Sequence, residues 1–373
     1  MKILMLNNEF PPLGGGTASI NHQLLKNLDE LDVDLVTSAL GKKNEESDFS
    51  DKIKIYKVPV NNQNIHHSSN VELIKYFTLA LLKAFKLNRE KNYSLVMAWC
   101  GVPAGAMALI LKKVKGIPFV VRVSGPDIPG FEERYNNIYP LLKPLLKLIW
   151  SNAEAVIVKC KHEEKLISKT KKLDNIIVIP NAVDTKKFKP VKRNSSSKEF
   201  NLLCIARLVK RKGQDRIIRS LLKTNEEIIL HLVGTGDELQ NYKDLVSNLG
   251  LEKRVIFHGY IDREKINEHY DNANAFILVS DNEGMTAAGL EAMAAGLPLI
   301  LSKDSGMNDL YNGENGFLVD KNNDLEITEK IDLLNNERKK TEKMGESSRN
   351  YSLKFSWGKV AEEYQSIFKK IKR

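Results

Sequence analysis

The residues best suited to chemistry lie in one run, Ser280-Asp281-Asn282-Glu283-Gly284-Met285-Thr286-Ala287-Ala288-Gly289-Leu290-Glu291. From Gly284 to Leu301, Glu291 is the only charged residue. A carboxylate among small apolar residues is rarely buried without a partner, so Glu291 is expected to reach a polar ligand or a cation. Glu283 lies eight residues earlier, in the turn that opens the helix. Thr286 and the N–H groups of Met285 and Ala287 would make that opening an anion site. The plainer reading has one glutamate capping the helix and the other paired within the fold. A second run, Arg207-Leu208-Val209-Lys210-Arg211-Lys212-Gly213, follows an apolar strand and precedes a helix. A guanidinium fork and an ammonium near a helix N-terminus suit a pyrophosphate; a solvated basic loop is the alternative.

Two more turns belong with these. Gly14-Gly15-Gly16-Thr17 follows the first strand and could present free N–H groups to an anion, although a flexible turn also explains three glycines. It fits neither the dinucleotide fingerprint nor a P-loop. Ser124-Gly125-Pro126-Asp127 places Asp127 just past another strand, either as a functional carboxylate or as a turn former. The seven histidines show no ligand spacing, and Cys100, Cys160 and Cys204 form no metal or disulfide pattern. No metal site is expected.

The elements that must hold these residues alternate along the chain. Lys2–Leu6, Val33–Thr37, Ile53–Val58, Leu95–Trp99, Phe119–Val123, Ala155–Val158 and Ile176–Ile179 read as strands separated by amphipathic helices. A polar stretch, Lys192–Lys198, reads as a linker. The alternation then restarts with Leu202–Ala206, Ile228–Val233, Val255–Phe257, Ala275–Val279 and Leu297–Leu301. Two such sets in 373 residues predict two doubly wound, Rossmann-like parallel-sheet domains, whose ligands bind at the carboxyl ends of the strands.

Charge and hydropathy narrow the partners. The net charge of +10 divides as +7 over residues 1–180 and +3 over 181–373, with no block of six like charges, so a nucleic-acid tail is not expected. A mildly basic face toward an anionic membrane or a phosphorylated ligand fits. The uncharged run Leu95–Leu111 is broken by Gly101, Pro103 and Gly105, and the N-terminal apolar stretch is short, so a soluble cytoplasmic protein is expected. Asn137–Trp150 combines leucines with Lys143 and Lys147; packing on the first sheet is expected, with a membrane-surface helix as the alternative. Pro144 should interrupt that helix.

In this order, these residues resemble the family 4 retaining glycosyltransferases (glycosyl transferases group 1) of the GT-B fold. The likeness includes Phe10-Pro11-Pro12 with Gly14-Gly15-Gly16, Ile179-Pro180-Asn181-Ala182-Val183-Asp184, and Arg207 with Lys212-Gly213. Its most specific part is Glu283 with Glu291 and the Glu-Ala-Met-Ala-x-Gly-x-Pro run ending at Pro298. The resemblance implies two domains facing across a cleft. Residues 1–184 would form an acceptor-side domain and 185–354 a nucleotide-sugar domain, while 355–373 would form a helix crossing back to the first. It implies a UDP- or GDP-linked sugar donor as substrate, no cofactor, and a glycan or lipid-linked acceptor in surface polysaccharide synthesis, with peripheral contact at the inner face of the membrane. By the same resemblance Arg207 and Lys212 match a pyrophosphate clamp and Glu291 a ribose-binding carboxylate. Glu283, Gly284, Met285 and Thr286 would address the donor sugar and its phosphate, Gly15 and Gly16 the phosphates, and Gly259–Ile261 the base. One position departs. Where many members carry histidine, Ser124 stands, which leaves more of the donor-sugar contact to Asp127. Glu283 and Asp127 are therefore the expected catalytic pair. A hydrolase or epimerase, or a non-catalytic sugar-nucleotide-binding protein, are the other readings of the same inventory.

Overall fold

The computed structural model describes residues 1–65, 68–123, 125–131, 136–193 and 197–371. Ser124, the His66-His67 pair and residues 194–196 of the polar stretch lie outside them. The chain forms two units, Met1–Pro180 with Trp357–Arg373, and Asn181–Ser356.

The first unit is built on eight strands: β1 (Lys2–Leu6), β2 (Asp32–Ser38), β3 (Glu45–Ser50), β4 (Ile53–Val58), β5 (Leu95–Trp99), β6 (Phe119–Arg122), β7 (Ala155–Val158) and β8 (Ile176–Val178). Their order is β3-β4-β2-β1-β5-β6-β7-β8. β1, β5, β6 and β7 are buried almost throughout, as a sheet covered on both faces requires. β3 has no apolar pattern and is exposed, so its sequence does not announce a strand. It runs antiparallel to β4, whose free backbone edge supplies the pairing, and Lys57–Glu45 and Lys83–Glu46 ion pairs hold it there.

Helices Asn70–Lys91, Ala106–Lys115 and Tyr139–Asn152 share one core with alternate strand residues such as Leu4, Val96, Val121 and Val156, so all three cover the same sheet face. The first begins at a capping box. Ser69 Oγ accepts from the Glu72 N–H and the Glu72 carboxylate accepts from the Ser69 N–H at 2.6 Å. The third runs through Pro144 without a break, correcting the expected interruption, and buries Leu146, Ile149 and Trp150. Helix Trp357–Ile371 also belongs to the first unit, where buried Arg122 donates to the Tyr364 hydroxyl at 2.9 Å.

The second unit carries six parallel strands: β9 (Phe200–Ile205), β10 (Ile228–Val233), β11 (Val255–Gly259), β12 (Ala275–Leu278), β13 (Leu299–Ser302) and β14 (Gly316–Val319). Their order is β11-β10-β9-β12-β13-β14. In each sheet the winding reverses once, between β1 and β5 and between β9 and β12. At such a reversal the loops leaving two neighbouring strands part to opposite faces and open a crevice at the carboxyl edge.

Candidate functional site

The β9–β12 crevice gathers the two loops singled out by sequence. Gly213 lets them meet: its φ is +68°, and a Cβ there would lie 2.1 Å from the Val279 carbonyl oxygen. The Asp281 N–H donates to the Arg211 carbonyl at 2.8 Å, and the Gly306 N–H donates to the Glu283 carbonyl. Arg216 and Lys321 both pair with the Asp281 carboxylate, tying the strand end down further. On this frame Lys212 is only 9% exposed, and its ammonium donates to the Glu283 carboxylate, which also accepts from Arg211 at 3.1 Å. Burial pulls the Lys212 pKa below the usual lysine value, and the Glu283 charge opposes that.

The two cations expected to work together are thus placed differently. Lys212 is buried on Glu283, whereas Arg207 is exposed where the strand ends. Arg211, to which sequence reasoning assigned no role, is the second cation on Glu283. Its only sequence signal was membership of a Lys-Arg-Lys run.

Glu291 lies on helix Ala287–Ala294 and is 6% exposed. Its isolation among apolar residues predicts a polar partner, and the structure supplies two. The fully buried Tyr270 hydroxyl donates to Oε2 at 2.8 Å, and Arg263 donates to Oε1 at 2.9 Å. Burial raises the Glu291 pKa above the usual carboxylate value, with the Arg263 charge as the largest opposing influence. Glu283 and Glu291 therefore sit on separate sets of partners. Between them, Gly284 and Met285 are buried, and Asn181 Nδ2 donates to the Met285 carbonyl at 2.9 Å. Thr286 caps the helix in extended conformation, but its hydroxyl makes no capping bond, so first-turn N–H groups are left for another acceptor. The tight helix packing explains its small residues, since a Cβ at Gly289 would lie 2.6 Å from Leu310 Cδ1.

In the first unit, the β1–β5 reversal holds the glycine turn. Gly14 needs its glycine, with φ +93° and the Glu9 side chain against its α-carbon. A Cβ on Gly15 or Gly16 would meet nothing within 4 Å, so packing within the protein does not demand glycine there. The Glu9 carboxylate accepts from the Gly15 N–H, while burial raises the Glu9 pKa. Asp127 Oδ1 lies 3.6 Å from where a Gly101 Cβ would stand, and burial, with added repulsion from Asp127 and Glu9, pushes the Cys100 thiol well up. Glu9 is a member of this carboxyl-edge cluster that sequence reasoning passed over, although it stands in the same turn as the glycines.

Three histidines far apart in sequence also converge. His231 Nδ1 and His258 Nε2 are 2.9 Å apart, and the His258 and His269 rings meet edge to face at 4.6 Å. Burial, then repulsion from His258 and His269, lowers the His231 pKa from 6.5 to about 4. Between those two values the unfolded chain binds a proton at His231 that the native chain does not, so stability falls as pH falls through this window. Urea unfolding of the full chain at pH 7 and pH 5 is expected to show that loss, and His231→Asn is expected to reduce it. An unchanged pH dependence in the variant would remove the histidine cluster as its cause. An Asp-x-Asp run, Asp32-Val33-Asp34, opens β2 at the opposite, amino edge of the first sheet, where Asp34 is held by Lys91 and Tyr93.

Family models match both units. One described as "Glycosyltransferase Family 4" matches residues 14–187, and one described as "Glycosyl transferases group 1" matches residues 185–351. A GDP-mannose-dependent α-(1-6)-phosphatidylinositol monomannoside mannosyltransferase of Mycolicibacterium smegmatis is 24% identical over 94% of this chain and 94% of its own length. Among solved structures, sucrose-phosphate synthase of Thermosynechococcus elongatus superposes with a TM-score of 0.82 at 18% identity, over 100% of this chain and 99% of that one. HepE of Anabaena in complex with UDP gives 0.76 at 19% identity, over 99% and 100%. The architecture is that of GT-B glycosyltransferases.

Proposed function

The chain belongs to the family 4 glycosyltransferases, and from that premise we propose that it transfers a sugar, with retention of anomeric configuration, from a UDP- or GDP-linked donor to a hydroxyl of a glycan or lipid-linked acceptor. The observation that supports it most is the placement of Lys212, Arg211 and the uncapped helix N-terminus around the β9–β12 crevice. HepE with bound UDP and the GDP-mannose-dependent relative support a nucleotide-sugar donor.

In this reading the diphosphate lies against the N–H groups following Met285 and takes Lys212 and Arg211 from Glu283. Glu283, so released, accepts a hydrogen bond from a donor-sugar hydroxyl. Glu291 accepts from the ribose hydroxyls while Tyr270 and Arg263 keep it oriented. Arg207, exposed at the strand end, adds a guanidinium fork to the diphosphate. On the first unit, Asp127 and the open Gly15-Gly16 turn are the residues proposed to meet substrate. As the anomeric C–O bond breaks, its electron pair stays on the phosphate oxygen, where preorganised cations and N–H groups stabilise the growing charge. The acceptor hydroxyl attacks from the same face and its proton passes to the departing diphosphate, so no protein nucleophile is needed. The protein's own cations balance that charge, and no metal takes part.

The test is a screen of UDP- and GDP-sugars for nucleoside diphosphate release. Release that persists under exhaustive chelation is the expected result. Binding of a donor without release would instead favour a non-catalytic sugar-nucleotide-binding protein, and activity restored only by magnesium or manganese would overturn the cation assignment.

A further inference from the structure

The three helices on one face of the first sheet have an unusual outer surface. Asn70–Lys91 packs beside Ala106–Lys115, which packs beside Tyr139–Asn152, and Lys112 Nζ joins the last two by donating to the Asn152 carbonyl at 2.7 Å. Their inner faces are spent on the core, so their outer faces should be polar. They are not. Of the fifteen large hydrophobic side chains exposed among the described residues, Val71, Ile74, Leu82, Val114, Leu141 and Leu148 stand on these helices, with Val71 75% and Leu141 81% exposed. On the third helix Leu141 and Leu148 are seven residues apart, two turns along one stripe, opposite the buried Leu146 and Trp150.

Charge is concentrated on the same helices. They carry ten lysines and arginines against two carboxylates, a net +8, and +5 remains after Lys83, Lys91 and Lys112 are balanced by Glu46, Asp34 and Glu154 from outside these helices. One of the two carboxylates, Glu72, is buried in the capping box. The second and third helices hold no acidic residue at all. Aliphatic side chains with interspersed ammonium groups on one layer match a surface that offers both anionic headgroups and an apolar phase. A nucleic-acid duplex offers the first without the second.

We propose that this helical layer docks the protein on an anionic lipid bilayer, with the leucines and valines entering the headgroup boundary and the lysines facing the phosphates. The proposal deepens the functional reading above, since a lipid-linked acceptor would be met at such a surface, and it can fail separately from it.

The full chain is sedimented with vesicles of phosphatidylglycerol and phosphatidylcholine, and with vesicles of phosphatidylcholine alone. Binding is expected only to the first and is expected to weaken as salt rises. Lys113→Glu with Lys115→Glu should lower vesicle affinity by about tenfold or more, given the attraction per basic residue near such a surface. Leu141→Ser with Leu148→Ser should lower it by roughly tenfold or more through lost apolar burial. Neither pair packs in the core, so the thermal midpoint should stay in place. Absence of sedimentation, equal binding to neutral vesicles, or binding that survives the leucine changes would overturn the proposal. So would a dimer that the leucine changes convert to monomer without any vesicle binding, which would assign the layer to a second copy. Nucleoside diphosphate release measured without vesicles reports on the glycosyltransferase reading alone. Its persistence while vesicle binding is absent would mark failure of docking only.

Discussion

Lys212→Ala is expected to lower kcat/KM for nucleoside diphosphate release by about 100- to 1,000-fold, the usual cost of removing one preorganised charge-stabilising donor. The ammonium is nearly out of solvent and held at the crevice by the β9 loop, so in the proposed reaction it has only to exchange Glu283 for the diphosphate. The same substitution takes the Lys212 ammonium from the Glu283 carboxylate, and breaking a largely buried pair costs roughly 3 kcal/mol. Urea unfolding alongside kinetics separates the two effects. Glu283→Gln is the informative companion: it frees Lys212 and Arg211, so product diphosphate should bind more tightly while turnover falls. The pH profile supplies an independent readout. Because burial holds the Lys212 pKa below the usual 10.5, the alkaline limb of kcat/KM should fall below that value. Lys212→Arg should move it upward. A Lys212→Ala enzyme with ordinary kcat/KM would return this loop to a structural ion pair.

Glu291→Ala is expected to weaken UDP or GDP binding by about 10- to 100-fold, the loss of hydrogen bonds to a charged acceptor. It also leaves the fully buried Tyr270 hydroxyl without its carboxylate, so some stability is lost as well. Tyr270→Phe discriminates between these consequences. It removes the bond to Glu291 while leaving the carboxylate and Arg263 in place, and should cost little nucleotide affinity. Calorimetry showing the same affinity loss in both variants would mean that Glu291 acts only by holding the β12 loop and its helix together.

Much of this site was legible before the fold was known, because its residues mark strand ends and helix starts. The capping box at Ser69, the buried strands β1, β5 and β12, and the glycines beside Arg207–Lys212 and Glu283 are local statements, written in residues at most a few positions apart. β3 escaped because its Glu-Glu-Ser-Asp-Phe-Ser sequence has no strand pattern of its own and is held by the open edge of β4. Pro144 misled for a related reason. It removes one N–H from a helix that buries Leu146, Ile149 and Trp150, and that burial outweighs the missing bond.

By itself the sequence determined the two α/β alternations, the family, and the list of charged residues that stand at carboxyl ends. Only the tertiary structure decided which charge meets which. Lys212 and Arg211 reach Glu283 across some 70 positions because β9 and β12 are neighbours where the winding reverses. Tyr270 and Arg263 reach Glu291, and His231, His258 and His269 converge, for the same kind of reason. So too with helix Tyr139–Asn152, whose periodicity shows that one stripe is buried but not that the opposite apolar stripe is left in solvent. Periodicity reports how a segment faces its own neighbours in sequence. Partners across the fold are set by strand order and register, which depend on the whole chain at once.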